Sequence, residues 1–204
     1  ELTLWWNRKF LAGLKNKEVK GLLKHECLHL VFEHTTERKK DPHLIWNYST
    51  DLAINSIIPY DELPKGGLVP GYRLPSLSQE ELEKMDDSAI ENYNYISDII
   101  YNLPSNKTSE YYFEILMKDD KFKEYAESNS NSGLSIGFDD HEGWGDFLDD
   151  VGKEFLKEKI KEILKDSIKE ADTNGWGSIS HSHRREFYRL VERKIKWEDI
   201  LNRF

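Results

Sequence analysis

The segment 44–58 constrains the fold most, because its side chains are apolar on nearly every face of a helix. Asp41 and Pro42 suit the start of this helix, and Pro59 ends it. A helix that lacks a wide polar face has to be surrounded by other parts of the chain. We therefore expect residues 44–58 to form a central helix of the core.

Asp51 and Asn55 interrupt this apolar segment one helical turn apart. A buried carboxylate is costly unless a cation or hydrogen-bond donors compensate its charge. A metal ion is the strongest such partner, so we predict that Asp51 is a metal ligand. Asn55 would then hold Asp51 or a ligand histidine in place through a hydrogen bond.

Residues 25–29 supply two further ligands in the pattern His-Glu-x-x-His. Residues four apart on an α-helix lie about 40° apart around its axis, so His25 and His29 can bind one ion. Two imidazoles and a carboxylate suit zinc and leave a fourth position for water. Glu26 has the position of a general base that takes a proton from this water. The alternative is a pair of core histidines with partners inside the protein.

Apolar residues recur at helical spacing around this motif and predict a buried helix: Val19, Leu22, Leu23, Leu30 and Val31. His34 is a competing third ligand. In a regular helix it points about 180° away from His25, so only a helix that breaks before His34 would bring it to the ion. Cys27 lies on another side of the helix and is expected to be a small buried residue rather than a ligand.

His141 is a further candidate, because it lies in the acidic sequence Asp-Asp-His-Glu at residues 139–142. Neighbouring carboxylates raise the pKa of a histidine and keep it charged, which suits an electrophile facing a developing oxyanion. The alternative is a capped turn before the next helix.

Composition limits the classes of function. The formal charge of −9 disfavours nucleic-acid binding through the overall field. Neither a membrane-spanning apolar run nor a signal-peptide pattern occurs, so we expect a cytoplasmic location and no membrane partner. The length fits a single domain over residues 1–204, and a polar, flexible composition predicts a variable insert at 104–133.

Two spaced patterns together resemble a known family. They are His-Glu-x-x-His-x-x-x-x-His at 25–34 and Trp-Asn-x-x-x-Asp-x-x-x-Asn at 46–55. Both are similar to the zincin-like family described as a putative metallopeptidase domain, which lies N-terminal to a von Willebrand A-like domain. The resemblance implies that His25, His29 and Asp51 are ligands and that Glu26 is the catalytic base. It also implies that the von Willebrand A-like part follows residue 204.

We therefore expect an α+β fold of the zincin type, mainly helical with a small sheet, to which residues 1–7 and 134–138 contribute strands. The expected activity is hydrolysis of a protein or peptide substrate with Zn²⁺ as cofactor. The alternative is a non-catalytic, zinc-stabilised protein-interaction module that serves an ATPase or another protein partner.

Overall fold

The computed structural model describes residues 6–34, 38–129, 149–177, 179 and 181–192. The chain divides into two compact units, Glu1–Phe147 and Leu148–Phe204. Within the described residues, the first unit contains these helices: α1 (Arg8–Gly13), α2 (Asn16–Val31), α3 (His43–Asn55), a 3-10 helix (Tyr60–Glu62), α4 (Gln79–Lys84), α5 (Asp87–Asn102), α6 (Ser109–Leu116) and α7 (Asp120–Asn129).

Helix α3 is the centre of the first unit. Ten of its 13 residues are buried, which confirms the prediction of a core helix from its apolar sequence. Helices α2, α6 and α7 pack against it. The core around it also includes buried side chains from the loop after α3 and from α5: Leu68, Leu74, Ile96 and Ile100.

The expected α+β fold with a small sheet is wrong. The ranges that the structure describes contain helices, turns and loops but no strand. The elements that pack against α3 are helices. Of the two expected strands, residues 1–5 and 134–138 lie outside the described residues, and Asn7 is the N-cap of α1.

Some residues of the segment 104–133 belong to this core. Helices α6 and α7 contribute buried side chains at Tyr112, Leu116, Phe122 and Ala126. The Tyr112 hydroxyl donates a hydrogen bond of 2.7 Å to the carbonyl oxygen of Pro104, which ties α6 to the loop before it. That this segment is a variable insert stays a prediction, but one side of α6 and of α7 is part of the packed interior, whereas residues 104–108 are exposed.

Helix α2 turns an unexpected side towards the core. Its only buried residues are Gly21, His25 and His29, whereas the apolar residues expected to be buried are half-buried or, at Leu23, exposed. Cys27 is also exposed, so the prediction that it is buried is wrong. The reason is that a glycine and two histidines occupy the contact with α3 and the 3-10 helix, which leaves the apolar residues outside it.

Gly21 sets the distance between α2 and the 3-10 helix. A Cβ atom at this position would lie 1.9 Å from the carbonyl oxygen of Glu62, closer than any real contact. Two ion pairs flank this approach. Lys24 pairs with Glu62, and Lys17 Nζ lies 3.1 Å from Asp61 Oδ2.

We expect Gly21→Ala to destabilise the first unit by about 1–3 kcal/mol, as in other overpacked interiors. A helix normally gains about 1 kcal/mol from this change, so the predicted sign is reversed by the clash. The clashing atom is backbone and cannot rotate away. Urea unfolding would measure the effect, with Gly13→Ala in α1 as the control, because a Cβ there meets nothing within 4 Å. Equal stability of the two variants would contradict the close approach.

The second unit contains α8 (Asp150–Asn174) and α9 (His181–Val191) among its described residues. The Asp149 side chain caps α8 by accepting a hydrogen bond of 2.8 Å from the backbone of Gly152. Asp172 joins the two helices, since it accepts hydrogen bonds from Tyr188 at 2.6 Å and from Trp176 at 2.9 Å. Along the described residues of both units, no helix combines the length and the apolar character needed to cross a membrane.

Candidate metal centre

His25, His29 and Asp51 come together where α2 packs against α3. One potential ligand atom from each residue lies within 4.8 Å of the other two. All three side chains are buried, with exposures of 0%, 1% and 5%. His25 contacts Asn55 and His29 approaches Asp51, so the two helices run in opposite directions at this contact. We refer to these three residues as the triad.

The spacing of the triad fits a zinc-sized ion. The Nε2 atoms of His25 and His29 are 2.9 Å apart. Asp51 Oδ1 lies 3.8 Å from the first of these nitrogens and 3.4 Å from the second. In the plane of these three atoms, the point that is equally far from all of them lies about 2.0 Å from each. This distance matches zinc–nitrogen and zinc–oxygen bond lengths. Two imidazoles and one carboxylate are also a donor set that zinc accepts.

Asn55 determines how His25 presents its nitrogens. Asn55 Nδ2 donates a hydrogen bond of 3.0 Å to the carbonyl oxygen of Leu68, so its Oδ1 is the atom that faces His25 Nδ1 at 2.8 Å. An amide oxygen only accepts, and therefore His25 Nδ1 carries the proton. The neutral ring then directs the lone pair of Nε2 towards the triad, which is the tautomer that binds a metal.

His34 lies beside the triad but outside it. Helix α2 ends at Val31 and Glu33 adopts a φ of 60°, so the helix breaks before His34. The break turns the buried His34 ring towards His29, where the two Nδ1 atoms are 3.3 Å apart. His29 presents its other nitrogen to the triad. Among the described residues, the cluster able to hold a metal contains Asp51 rather than His34.

Glu26 follows His25 on α2, about 100° around the helix axis. Its side chain is half-buried, so it remains accessible to water at the position next to a residue of the triad. Although Cys27 is exposed as a residue, partial desolvation of its thiol raises the pKa, and the negative charge of the neighbouring Glu26 raises this pKa further. At neutral pH Cys27 is therefore a thiol, which is a poor nucleophile and a poor metal ligand.

Two further residues bear on this site, one predicted from the sequence and one not. His141 lies outside the described residues, so its role as an electrophile stays a prediction. Ser109 was missed by the sequence reasoning, although its hydroxyl lies 3.0 Å from His34 Nε2 and is buried. No local pattern marks this serine, because it is 75 residues away from its histidine along the chain.

Comparison with protein families agrees with this centre. A family model described as "putative metallopeptidase domain" matches residues 1–147. The chain belongs to this family. The match confirms the resemblance, spans the same residues as the first compact unit and includes the whole triad. The adjacent von Willebrand A-like domain stays a prediction. Comparison with the curated proteins and with the solved structures gives no match.

Proposed function

We propose that this chain is a zinc-dependent metallopeptidase that hydrolyses peptide bonds with Glu26 as the general base. The observation that carries the proposal is the buried triad, whose atoms are spaced for a zinc ion and whose first histidine directly precedes Glu26 on α2. Membership of the putative metallopeptidase family supports the reaction class. The substrate would be a protein or a peptide.

The residues of the site have two roles, since three would bind the metal and Glu26 would act as the base. A bound zinc ion would supply Lewis acidity, which lowers the pKa of water to about 7 and polarises a carbonyl group. His25 and His29 offer neutral imidazole nitrogens, and Asp51 offers a carboxylate oxygen. Glu26 accepts the proton of the attacking water and delivers it to the leaving amine.

The burial of these side chains suits the two roles of metal ligand and general base. The three ligands need shielding from water, because competition by solvent weakens metal binding. Each of the three side chains is more than nine-tenths buried. The base needs access to water and to substrate, and Glu26 is only half-buried. Three protein ligands leave a coordination position open for chemistry, as in other catalytic zinc sites.

Removal of the metal tests the proposal. The purified chain should cleave a peptide mixture, with products identified by mass spectrometry, and should lose this activity after treatment with a chelator. About one equivalent of zinc should restore it, whereas magnesium should not, because two imidazoles are poor magnesium ligands. A chain that binds one zinc and cleaves no peptide would instead be the zinc-stabilised interaction module.

A further inference from the structure

We propose that His34 and Ser109 form a hydrogen-bond relay that positions the metal ligand His29. The proposal rests on the metal centre described under the proposed function and does not depend on which bond the enzyme hydrolyses. It gives His34 a positioning role in place of the ligand role considered for it from the sequence.

The relay consists of three buried groups in a row. His29 Nδ1 lies 3.3 Å from His34 Nδ1, and His34 Nε2 lies 3.0 Å from the hydroxyl oxygen of Ser109. The exposures of the three residues are 1%, 1% and 3%. The row starts on the side of the His29 ring that faces away from the triad and ends at the first residue of α6.

The protons of the relay have a defined order when His29 binds a metal. His29 Nε2 must then offer its lone pair to the ion, so the proton of this neutral ring is on Nδ1. That proton is donated to His34 Nδ1, which must be the unprotonated nitrogen of its ring. His34 Nε2 then carries a proton and donates it to Ser109. Each ring thus has one donor and one acceptor in use.

Helix α6, which carries Ser109, also supports the turn that carries His34. The backbone of His34 donates to the carbonyl oxygen of His29 at 3.0 Å. Arg38 donates to the carbonyl oxygen of Phe32 at 3.2 Å and to Glu110 at 2.5 Å. Glu110 follows Ser109 on α6, so neighbouring residues of α6 hold the His34 ring and the turn around it.

Each ligand histidine therefore has its own support. His25 is oriented by Asn55, which is itself fixed by the backbone of Leu68. His29 is oriented by His34, which is fixed by Ser109. Groups that orient metal ligands in this way typically change metal affinity about 10- to 100-fold when they are removed.

Zinc affinity measured by chelator competition, together with the visible absorption of the cobalt-substituted protein, tests the relay. His34→Leu removes both ring nitrogens and should weaken zinc binding about 10- to 100-fold while one ion still binds. Ser109→Ala should change the affinity in the same direction and alter the cobalt spectrum. His34→Asn and Ser109→Thr keep an acceptor and a hydroxyl, respectively, and each should restore most of the affinity.

Exposed His181 of the second unit provides the control, since His181→Leu should leave affinity and spectrum unchanged. Wild-type affinity and spectrum in Ser109→Ala, or in a folded His34→Leu, would overturn the relay. Ser109→Ala removes a single oxygen atom, so it decides the question even if His34→Leu does not fold. Complete loss of the ion in His34→Asn would also overturn the proposal, because it would identify His34 as a ligand.

Failure of the relay and failure of the peptidase function give different results. A wild-type chain that binds zinc but cleaves no peptide would remove the proposed reaction and leave the affinity measurements valid. A wild-type chain that cleaves peptides, with variants that bind zinc normally, would remove the relay alone.

Discussion

Glu26→Gln is expected to lower peptide cleavage by about 10²- to 10⁴-fold and to leave the zinc content at one ion per chain. Glutamine has nearly the shape of glutamate, but its amide cannot accept the proton of the attacking water. Glu26 is outside the triad, so the ligand atoms keep their positions. Cleavage rates would show the loss of activity, and elemental analysis of the same preparation would show the unchanged zinc content.

Glu114→Gln is the matched control for this substitution, because Glu114 is an exposed carboxylate on α6. Cys27 provides a second readout that needs no substrate. Glu26 is one cause of the raised pKa of Cys27, so Glu26→Gln should increase the rate at which this single cysteine is alkylated. Unchanged cleavage in Glu26→Gln, or loss of zinc from it, would contradict the role of general base.

Asp51→Ala is expected to weaken zinc binding by more than the roughly 100-fold that follows from loss of an orienting group. The substitution removes one of three ligand atoms and the only carboxylate of the triad. The loss should also appear in stability, because a ligand present at about 1,000 times its dissociation constant stabilises the folded state by about 4 kcal/mol. Added zinc should thus raise the melting temperature of the wild type by much more than that of the variant.

Comparing each protein with and without zinc separates metal binding from any direct effect of the substitution on folding. Asp51→Asn provides a variant of nearly the same shape that lacks the charge, and it should behave like Asp51→Ala. Asp61→Ala is the control, since Asp61 is an exposed carboxylate on the 3-10 helix that pairs with Lys17. A zinc-dependent rise in melting temperature that keeps its wild-type size in both Asp51 variants would place the ion elsewhere.

The central part of the candidate site could be predicted because its signals are local. The spacing of His25 and His29 places both on one side of any helix that contains them. Asp51 is the one carboxylate of a helix without a wide polar face, and a helix of that kind has to be buried. Each inference needed only the periodicity of an α-helix, which follows from backbone geometry.

The absence of the expected sheet from the described residues and the buried side of α2 depend on which helices pack against each other. The expected sheet is wrong because helices cover α3. The apolar stripe of α2 indicated one buried side, but the close approach at Gly21 turns another side of the helix towards the core. A stripe of half-buried residues and a stripe of core residues have the same sequence pattern, so periodicity alone does not distinguish them.

The sequence by itself indicated the two helices that carry the triad, the three residues proposed as ligands and the likeness to the metallopeptidase family. Only the tertiary structure decided how the donors are supported. His34 reaches His29 because the helix ends at Val31, and Ser109 reaches His34 because α6 packs against α3. Spacing along a helix is a local property of the backbone, whereas a contact across 75 residues exists only after the chain has packed.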